Sequence, residues 1–382
     1  MTVSKRAEEF RSFIVMDVLE KAISLEQKGR DIIHLEIGEP DFDTPQCIRD
    51  AGVQAIKAGK THYTNSLGIP ELREVICKHY RESYGVQINH DQVIVTSGTS
   101  PAMLLIFSAL LEPQEEIILS DPCYPCYPNI INYAGGRCTY IKTKEEDGFQ
   151  YRPEDIAKII SPRTKGMLVN SPSNPTGNLL SPDKMQRIAD LGTYIISDEI
   201  YHGLVYEGKE HSILEYTNKA FILNGFSKAY AMTGWRLGYV IAPPEFVRPM
   251  QKMQQNFFIS ATSISQWGGI AALTKAQPDV ENMKATYNIR RGHMLKRLRE
   301  LGFGIAVDPV GAFYILAKAK HISDNSYDLS FEMLEKAGVA VAPGIDFGKN
   351  AEGYLRFSYA NSLENIIEGL NRIENFLKNR QG

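Results

Sequence analysis

The chain is poor in several features that mark particular classes of protein. Its 382 residues include only 5 cysteines, and an odd, scattered set does not build the disulfide framework of a small secreted domain. Because 42 basic residues face 45 acidic ones, the net charge of −3 gives no reason to expect nucleic acid or an anionic membrane as partner. No run approaches the roughly 18 apolar residues of a membrane span. The charged N-terminus also lacks a signal-peptide core, so we expect a cytoplasmic protein.

Two of the cysteines lie close together in the chain. Cys123 and Cys126 have the spacing of redox motifs and of half a zinc site. No second pair follows at zinc spacing, so we expect idle thiols and no metal.

What the chain does have is enough length and apolar content for two or three domains with a large core. Short apolar runs alternate with helical patterns, and the runs are continuous, as in strands covered on both faces. The runs are residues 93–95, 117–119, 167–169, 194–196, 221–223 and 239–241. They predict an α/β fold with a mostly parallel, doubly wound sheet between about residues 90 and 245.

The two ends of the chain have a different pattern. The predicted helices there are residues 16–28, 244–275, 280–301 and 329–337, and the predicted strands are 305–307, 313–316, 339–341 and 355–357. We therefore expect a large domain over residues 45–280 and a smaller α+β domain made of residues 1–44 and 281–382.

The residues after strand 221–223 carry the first chemical signal. Lys228 follows in apolar and aromatic surroundings, which lower the pKa of an amine and make it nucleophilic, as a Schiff base with an aldehyde requires. Ser227 precedes it and Arg236 comes eight residues later, and a hydroxyl with a guanidinium is typical of phosphate binding. The alternative is a surface lysine in a glycine-rich loop.

Three other strands end in polar residues that belong at the same edge of the sheet. Strand 194–196 leads to Asp198, which is a helix cap or a partner for a pyridinium nitrogen, with Tyr201 three residues later. Strand 167–169 leads to Asn174, whose amide can bond a phenolate oxygen. Strand 93–95 leads to Gly98, Thr99 and Ser100, small residues that open a helix and favour an anion.

With these residues the chain resembles the fold-type I pyridoxal-phosphate enzymes, specifically the class I aminotransferases of the aspartate aminotransferase superfamily. The resemblance covers essentially the full length. It includes Gly38-Glu39-Pro40-Asp41-Phe42, Tyr63 ahead of residues 68–73, the stretch from Ser227 to Gly238, and Arg356.

The resemblance implies pyridoxal 5′-phosphate as the cofactor, held on Lys228, whose freed amine then moves the substrate proton. Asp198 would pair with the ring nitrogen, and Tyr201 and Asn174 would bond the 3-oxygen. Tyr124 would stack on the ring, where many aspartate-specific members carry Trp. The phosphate would lie against Gly98, Thr99, Ser100, Ser227 and Arg236.

The resemblance also implies how substrate and partner are bound. Arg356, with Gly38 and Asn174 beside it, would bind the substrate α-carboxylate as a bidentate fork. Tyr63 would reach the phosphate of the other subunit, which makes a homodimer the smallest complete enzyme.

The implied reaction moves the amino group of an L-amino acid to a 2-oxo acid, such as 2-oxoglutarate or pyruvate, by ping-pong kinetics through aldimine and ketimine forms. Residues 13–16 align with a stretch that borders the substrate pocket in related enzymes and are apolar here, which favours a neutral donor (alanine, aromatic or branched) over aspartate. They could instead simply pack a helix. The same framework also supports a lyase, a synthase or a decarboxylase, or a non-enzymatic ligand sensor.

Overall fold

The computed structural model describes residues 3–381, which form 12 strands and 13 α-helices. The strands are β1 (Ile33–His34), β2 (Val93–Thr96), β3 (Glu116–Asp121), β4 (Arg137–Lys142), β5 (Thr164–Asn170), β6 (Tyr194–Asp198), β7 (Ala220–Gly225), β8 (Gly238–Ile241), β9 (Tyr314–Lys318), β10 (Val339–Ala340), β11 (Ala342–Pro343) and β12 (Tyr354–Ser358). The helices are α1 (Lys5–Glu8), α2 (Ile14–Glu26), α3 (Gln46–Lys57), α4 (Pro70–Tyr84), α5 (Thr99–Leu110), α6 (Cys126–Tyr133), α7 (Pro153–Ile159), α8 (Pro182–Ala189), α9 (Pro244–Phe257), α10 (Ser263–Lys275), α11 (Gln277–Glu300), α12 (Ser326–Ala337) and α13 (Leu363–Gln381).

The largest sheet has seven strands in the order β2-β8-β7-β6-β5-β3-β4. All of them run in one direction except β8, which is antiparallel to β2 and β7. The predicted α/β class and the six predicted strands are confirmed. The seventh strand, β4, was missed because it lies at the edge and is largely exposed, so it has no continuous apolar run.

Side chains on both faces of this sheet are buried, which explains the continuous apolar runs. Along β3, Ile118 packs into one hydrophobic cluster, while Ile117 and Leu119 pack into another. Successive side chains of a strand point to opposite faces, so the two clusters are the two cores on either side of the sheet.

The C-terminal strands form a separate antiparallel sheet in the order β11-β12-β9. The N-terminal segment joins this part of the chain, because β1 pairs with β10 in parallel through Ile33 and Val339. The predicted domain bounds, 45–280 against 1–44 with 281–382, stay a prediction.

Three local predictions were wrong in detail. Residues 305–307 do not form a strand, because Ala306 and Val307 face solvent and only Gly304 makes a bridge, to Lys318. The predicted helix 244–275 is two helices, α9 and α10, separated at Ile259, whose φ of 65° lies outside the helical range. The helix predicted at 16–28 begins two residues earlier, because a distant carboxylate bonds the first amides of α2.

The parallel strands all end at one edge of the large sheet, and β8 begins there with Gly238 opposite Thr96 and Gly225. This edge is where open α/β sheets bind ligands. Among residues 3–381 there is no helix long and apolar enough to cross a membrane.

Candidate active site

A cavity of about 340 Å³ lies at this edge of the sheet, and it collects most of the predicted site residues. Those that line it are Gly38, Thr99, Ser100, Tyr124, Asn174, Asp198, Tyr201, Ser227, Lys228, Arg236 and Arg356. Gly98 lies against the Arg236 guanidinium. Tyr63 is the exception: it is outside the lining and its side chain is 82% exposed.

Lys228 follows β7 and points its amine into the cavity, where Nζ donates a 2.6 Å hydrogen bond to the Gly38 carbonyl. Burial lowers the pKa of Lys228 to about 8, and the positive charges of Arg356 and Arg236 act in the same direction, against Glu39. An amine with this pKa is partly neutral near physiological pH, which is what a nucleophile or general base requires.

Asp198 ends β6 and is 5% exposed. Its Oδ2 accepts a 2.6 Å hydrogen bond from the Tyr127 hydroxyl, and its Oδ1 accepts one of 3.2 Å from the Ile200 N–H. Burial raises the pKa of Asp198 to about 6 despite both hydrogen bonds. A cationic group in the cavity would therefore stabilise the anion of this residue.

A narrow backbone cradle lies between β2 and α5. Gly98 has a φ of 96°, and a Cβ built there would lie 2.7 Å from Nη2 of Arg236. A Cβ on Gly238 would lie 2.9 Å from the Gly98 backbone. Only glycine at these positions lets the start of α5 and the guanidinium come this close. The first amides of a helix beside a guanidinium make a site for a small anion.

Arg356 lies on β12 and is 2% exposed. Its guanidinium lies 4.3 Å from the ring centre of Tyr314 and 4.9 Å from that of Phe347. Nη1 donates a 3.0 Å hydrogen bond to Asn174 Oδ1, and Nη2 donates to the Glu36 carbonyl. Nε has no partner among the described residues. A guanidinium that lines a cavity and is otherwise buried is suited to bind an anionic substrate group.

Hydrogen bonds also hold Asn174 and Tyr201 in place. Asn174 donates its backbone N–H to Asn170 Oδ1 at 2.7 Å, while the Asn170 amide donates to the Asp198 carbonyl. The hydroxyls of Tyr201 and Tyr314 lie 2.9 Å apart.

The sequence analysis predicted most residues that line the cavity, but it missed residues that contact them, notably Tyr127, Asn170, Tyr314 and Phe347. Tyr127 and Asn170 follow or end strands and could have been noticed, whereas Tyr314 and Phe347 gave no local signal.

The cysteine pair takes no part in the cavity lining. All five cysteines are free, and burial raises the pKa of the Cys123 thiol above its ordinary value. Cys126 is the first residue of α6. The part of the chain that the structure describes contains no group of three His, Cys, Asp or Glu side chains placed to hold a metal ion.

An amine, a carboxylate and two guanidinium groups around one cavity define an enzyme site for a ligand with several anionic groups. Comparison with known proteins narrows this class. Residues 30–373 match the family model described as aminotransferase class I and II. The chain is 42% identical to (5-formylfuran-3-yl)methyl phosphate transaminase of Methanocaldococcus jannaschii, with 98% of this chain and 99% of the relative covered. It is 38% identical to aspartate/prephenate aminotransferase of Thermus thermophilus, with 98% of each covered.

Solved structures of aminotransferases are also similar to this chain. The Thermus thermophilus aspartate aminotransferase with maleate superposes with a TM-score of 0.94 at 37% identity, covering 98% of this chain and 99% of that one. A Methanococcus jannaschii structure described as similar in its active site to kynurenine aminotransferases gives a TM-score of 0.91 at 41% identity, covering 98% and 100%. The chain belongs to the class I and II aminotransferases, of the fold-type I pyridoxal-phosphate superfamily. It is a transaminase, and members of this family use pyridoxal 5′-phosphate.

Proposed function

We propose that this enzyme moves the amino group of an L-amino acid to a 2-oxo acid and that Lys228 carries the proton during the transfer. The observation that carries the proposal is the position of the Lys228 amine: it lies in the same cavity as Asp198, Arg236 and Arg356. The two guanidinium groups are suited to bind a phosphate and a substrate carboxylate, and the Asp198 carboxylate is suited to pair with a pyridinium nitrogen.

The residues fit pyridoxal 5′-phosphate group by group. The cradle of Gly98, Thr99 and Ser100 would hold the phosphate together with Ser227 and Arg236. The close approach of the Arg236 guanidinium to Gly98, which leaves no room for a Cβ, supports this assignment. Asp198 would hold the protonated ring nitrogen, and Tyr201 and Asn174 would donate to the 3-oxygen. Tyr124 would cover the ring. When bound, the cofactor supplies an electron-withdrawing ring that stabilises negative charge at the substrate Cα.

The protein's own residues then have separate tasks. Arg356 binds the α-carboxylate through its guanidinium, which the rings of Tyr314 and Phe347 hold in place. With the cofactor bound, the Lys228 amine, whose pKa is lowered to about 8, would take the proton from the substrate Cα and deliver one to C4′. The Asp198 anion would keep the ring nitrogen protonated.

We propose a neutral amino acid as the preferred donor. One part of the cavity lining is formed by the apolar residues Phe13, Val15, Met16, Leu19 and Ile37. The cationic residues of the cavity lining are Lys228, Arg236 and Arg356, and each already has another proposed task. Within the described residues the lining therefore offers no further positive charge to bind the side-chain carboxylate of a donor such as aspartate. The relatives act on substrates as different as aspartate, prephenate and a furanylmethyl phosphate aldehyde, so family membership leaves the donor open.

A half-reaction panel tests the proposal. Holoenzyme is mixed with alanine, leucine, phenylalanine or aspartate, and conversion of the cofactor to its amine form is followed by absorbance. We expect a neutral donor to react faster than aspartate, and aspartate faster by tenfold or more would contradict the donor preference. Stoichiometric 2-oxo acid supports amino transfer, whereas release of ammonia or thiol would indicate a lyase. Lys228→Ala should abolish turnover, and appreciable residual transamination would contradict the role of Lys228.

We also propose a homodimer in which Tyr63 completes the site of the partner. The support is that Tyr63 is 82% exposed in the single chain although its type and position resemble a phosphate-binding tyrosine. Sedimentation should give twice the mass of the chain. Mixing the Lys228→Ala and Tyr63→Phe variants should yield hybrid dimers with one intact site, and so more activity than either parent. The five free thiols suit a reducing compartment such as the cytoplasm.

A further inference from the structure

The helix that forms the apolar wall of the cavity begins without a cap of its own. α2 follows Phe13, whose side chain cannot accept a hydrogen bond from the first turn. The amides of Met16 and Asp17 bond the Phe13 carbonyl, which leaves those of Ile14 and Val15 to be satisfied from elsewhere.

Asp346 satisfies both amides from a position more than 330 residues away in the chain. Its Oδ1 accepts from the Ile14 N–H and its Oδ2 from the Val15 N–H, each at 3.1 Å. Each carboxylate oxygen thus meets one unpaired donor, and its negative charge lies at the positive end of the helix. Ser12, the nearest hydroxyl before the helix, bonds Asp17 instead.

The segment that carries Asp346 is itself held by hydrogen bonds to the start of α12 and to the loop before α6. The Ile345 N–H donates to Ser326 Oγ at 3.0 Å, and the Phe347 carbonyl accepts from the Cys123 N–H at 2.8 Å, next to Tyr124. The ring of Phe347 lies 4.9 Å from the Arg356 guanidinium. A Cβ on Gly348 would meet the Asp121 carboxylate at 2.1 Å, so the backbone is packed closely there.

The position of α2 decides where the apolar wall lies. Phe13, Val15 and Met16, in the turn that Asp346 bonds, line the cavity, and Leu19 follows one turn later. The Phe13 ring meets the Tyr124 ring edge-on with centres 5.8 Å apart. Asp346 therefore directly precedes Phe347, whose ring lies against Arg356, and it bonds the helix turn that forms the wall that a substrate side chain would meet.

We propose that Asp346 is a positioning residue for substrate specificity: by capping α2 it fixes the apolar wall at a set distance from Arg356. This inference rests on the proposed function, because it takes the wall to contact the donor side chain. A donor with a long side chain depends on the wall, whereas alanine, whose methyl group is short, depends on it much less.

The test compares two donors in three variants. In Asp346→Ala the cap is lost. In Asp346→Asn, which keeps the shape, one of the two acceptors is lost. Ser326→Ala is the matched control, because it removes a hydrogen bond to the same segment without touching α2. For Asp346→Ala we expect kcat/KM in the half-reaction with leucine to fall about tenfold, mainly through KM, and with alanine by less than threefold. Asp346→Asn should lie between the wild type and Asp346→Ala, and Ser326→Ala should leave the leucine-to-alanine ratio unchanged.

A leucine-to-alanine ratio within twofold of wild type in both Asp346 variants would overturn the proposal, as would an equal change in the Ser326→Ala control. Amide hydrogen exchange supplies a readout that does not depend on turnover. Exchange over residues 13–19 should rise in Asp346→Ala and not in Ser326→Ala, and unchanged exchange would overturn the capping role itself. If the wild type converts no amino acid, the proposed function fails while the exchange result still decides the cap.

Discussion

The hydrogen bond from Tyr127 to Asp198 gives the sharpest prediction for the chemistry. Tyr127 is 1% exposed and its hydroxyl lies 2.6 Å from Oδ2 of a carboxylate whose pKa burial raises to about 6. Among the described residues no other side chain donates to the Asp198 carboxylate. Removing the hydroxyl in Tyr127→Phe therefore leaves the carboxylate with the Ile200 N–H as its only donor from the protein.

The magnitude follows from the geometry. A buried hydrogen bond to a charged group contributes about 1.5–3 kcal/mol, which corresponds to a rise of about 1–2 units in the pKa of Asp198. A more basic carboxylate takes the proton from the ring nitrogen more readily, so the ring withdraws electrons less well. We expect kcat of the half-reaction to fall about tenfold, the equivalent of about 1.4 kcal/mol, at saturating donor.

The assay is stopped-flow absorbance of the half-reaction, with Tyr151→Phe as the matched control. Tyr151 is also a buried tyrosine (5% exposed), but its hydroxyl donates at 2.7 Å to the Leu168 carbonyl and not to Asp198. Both variants lose one buried hydrogen bond and should lose similar stability, yet only Tyr127→Phe should lose rate. If kcat of Tyr127→Phe stays within twofold of the control, the contact does not tune Asp198 and the reasoning is refuted.

Three further predictions concern other parts of the site. Arg356→Lys should reduce kcat/KM for the amino acid about a hundredfold in steady-state assays, because a lysine cannot form the bidentate fork; a loss under threefold would contradict its role. Gly98→Ala should weaken pyridoxal phosphate binding at least tenfold in a fluorescence titration. Gly85→Ala, which has a similar positive φ but open space around its Cβ position, should not. Burial gives Asp198 a pKa of about 6 in the folded apo-enzyme, above its ordinary 3.8, so the folded state binds the proton more tightly. The free energy of unfolding of the apo-enzyme should therefore fall by about 2 kcal/mol from pH 4 to pH 7, and urea unfolding of Asp198→Asn should lack this component.

Many residues of the candidate site could be predicted from local sequence because they directly follow strands of a parallel sheet. Strands buried on both faces are continuous apolar runs, and the polar residues that follow them, such as Asp198 and Lys228, must meet at one edge of a parallel sheet. The predictions for β4 and for residues 305–307 failed in opposite directions. Both segments are largely exposed, but β4 pairs along its length with β3, whereas beside residues 305–307 only Gly304 makes a bridge, and strand pairing is decided by the packed chain.

The sequence by itself determined the family and the large sheet, and it predicted the reactive groups, since these depend on residue type and on order along the chain. Only the tertiary structure decided what surrounds those groups. The hydrogen bond from Tyr127 to Asp198 joins residues 71 positions apart, and the cap that Asp346 places on α2 joins residues up to 332 positions apart. The rings on either side of Arg356 come from the neighbouring strand β9 and from the segment that precedes β12. Such contacts leave no periodic trace, because a hydrogen bond between distant segments needs only one residue on each side.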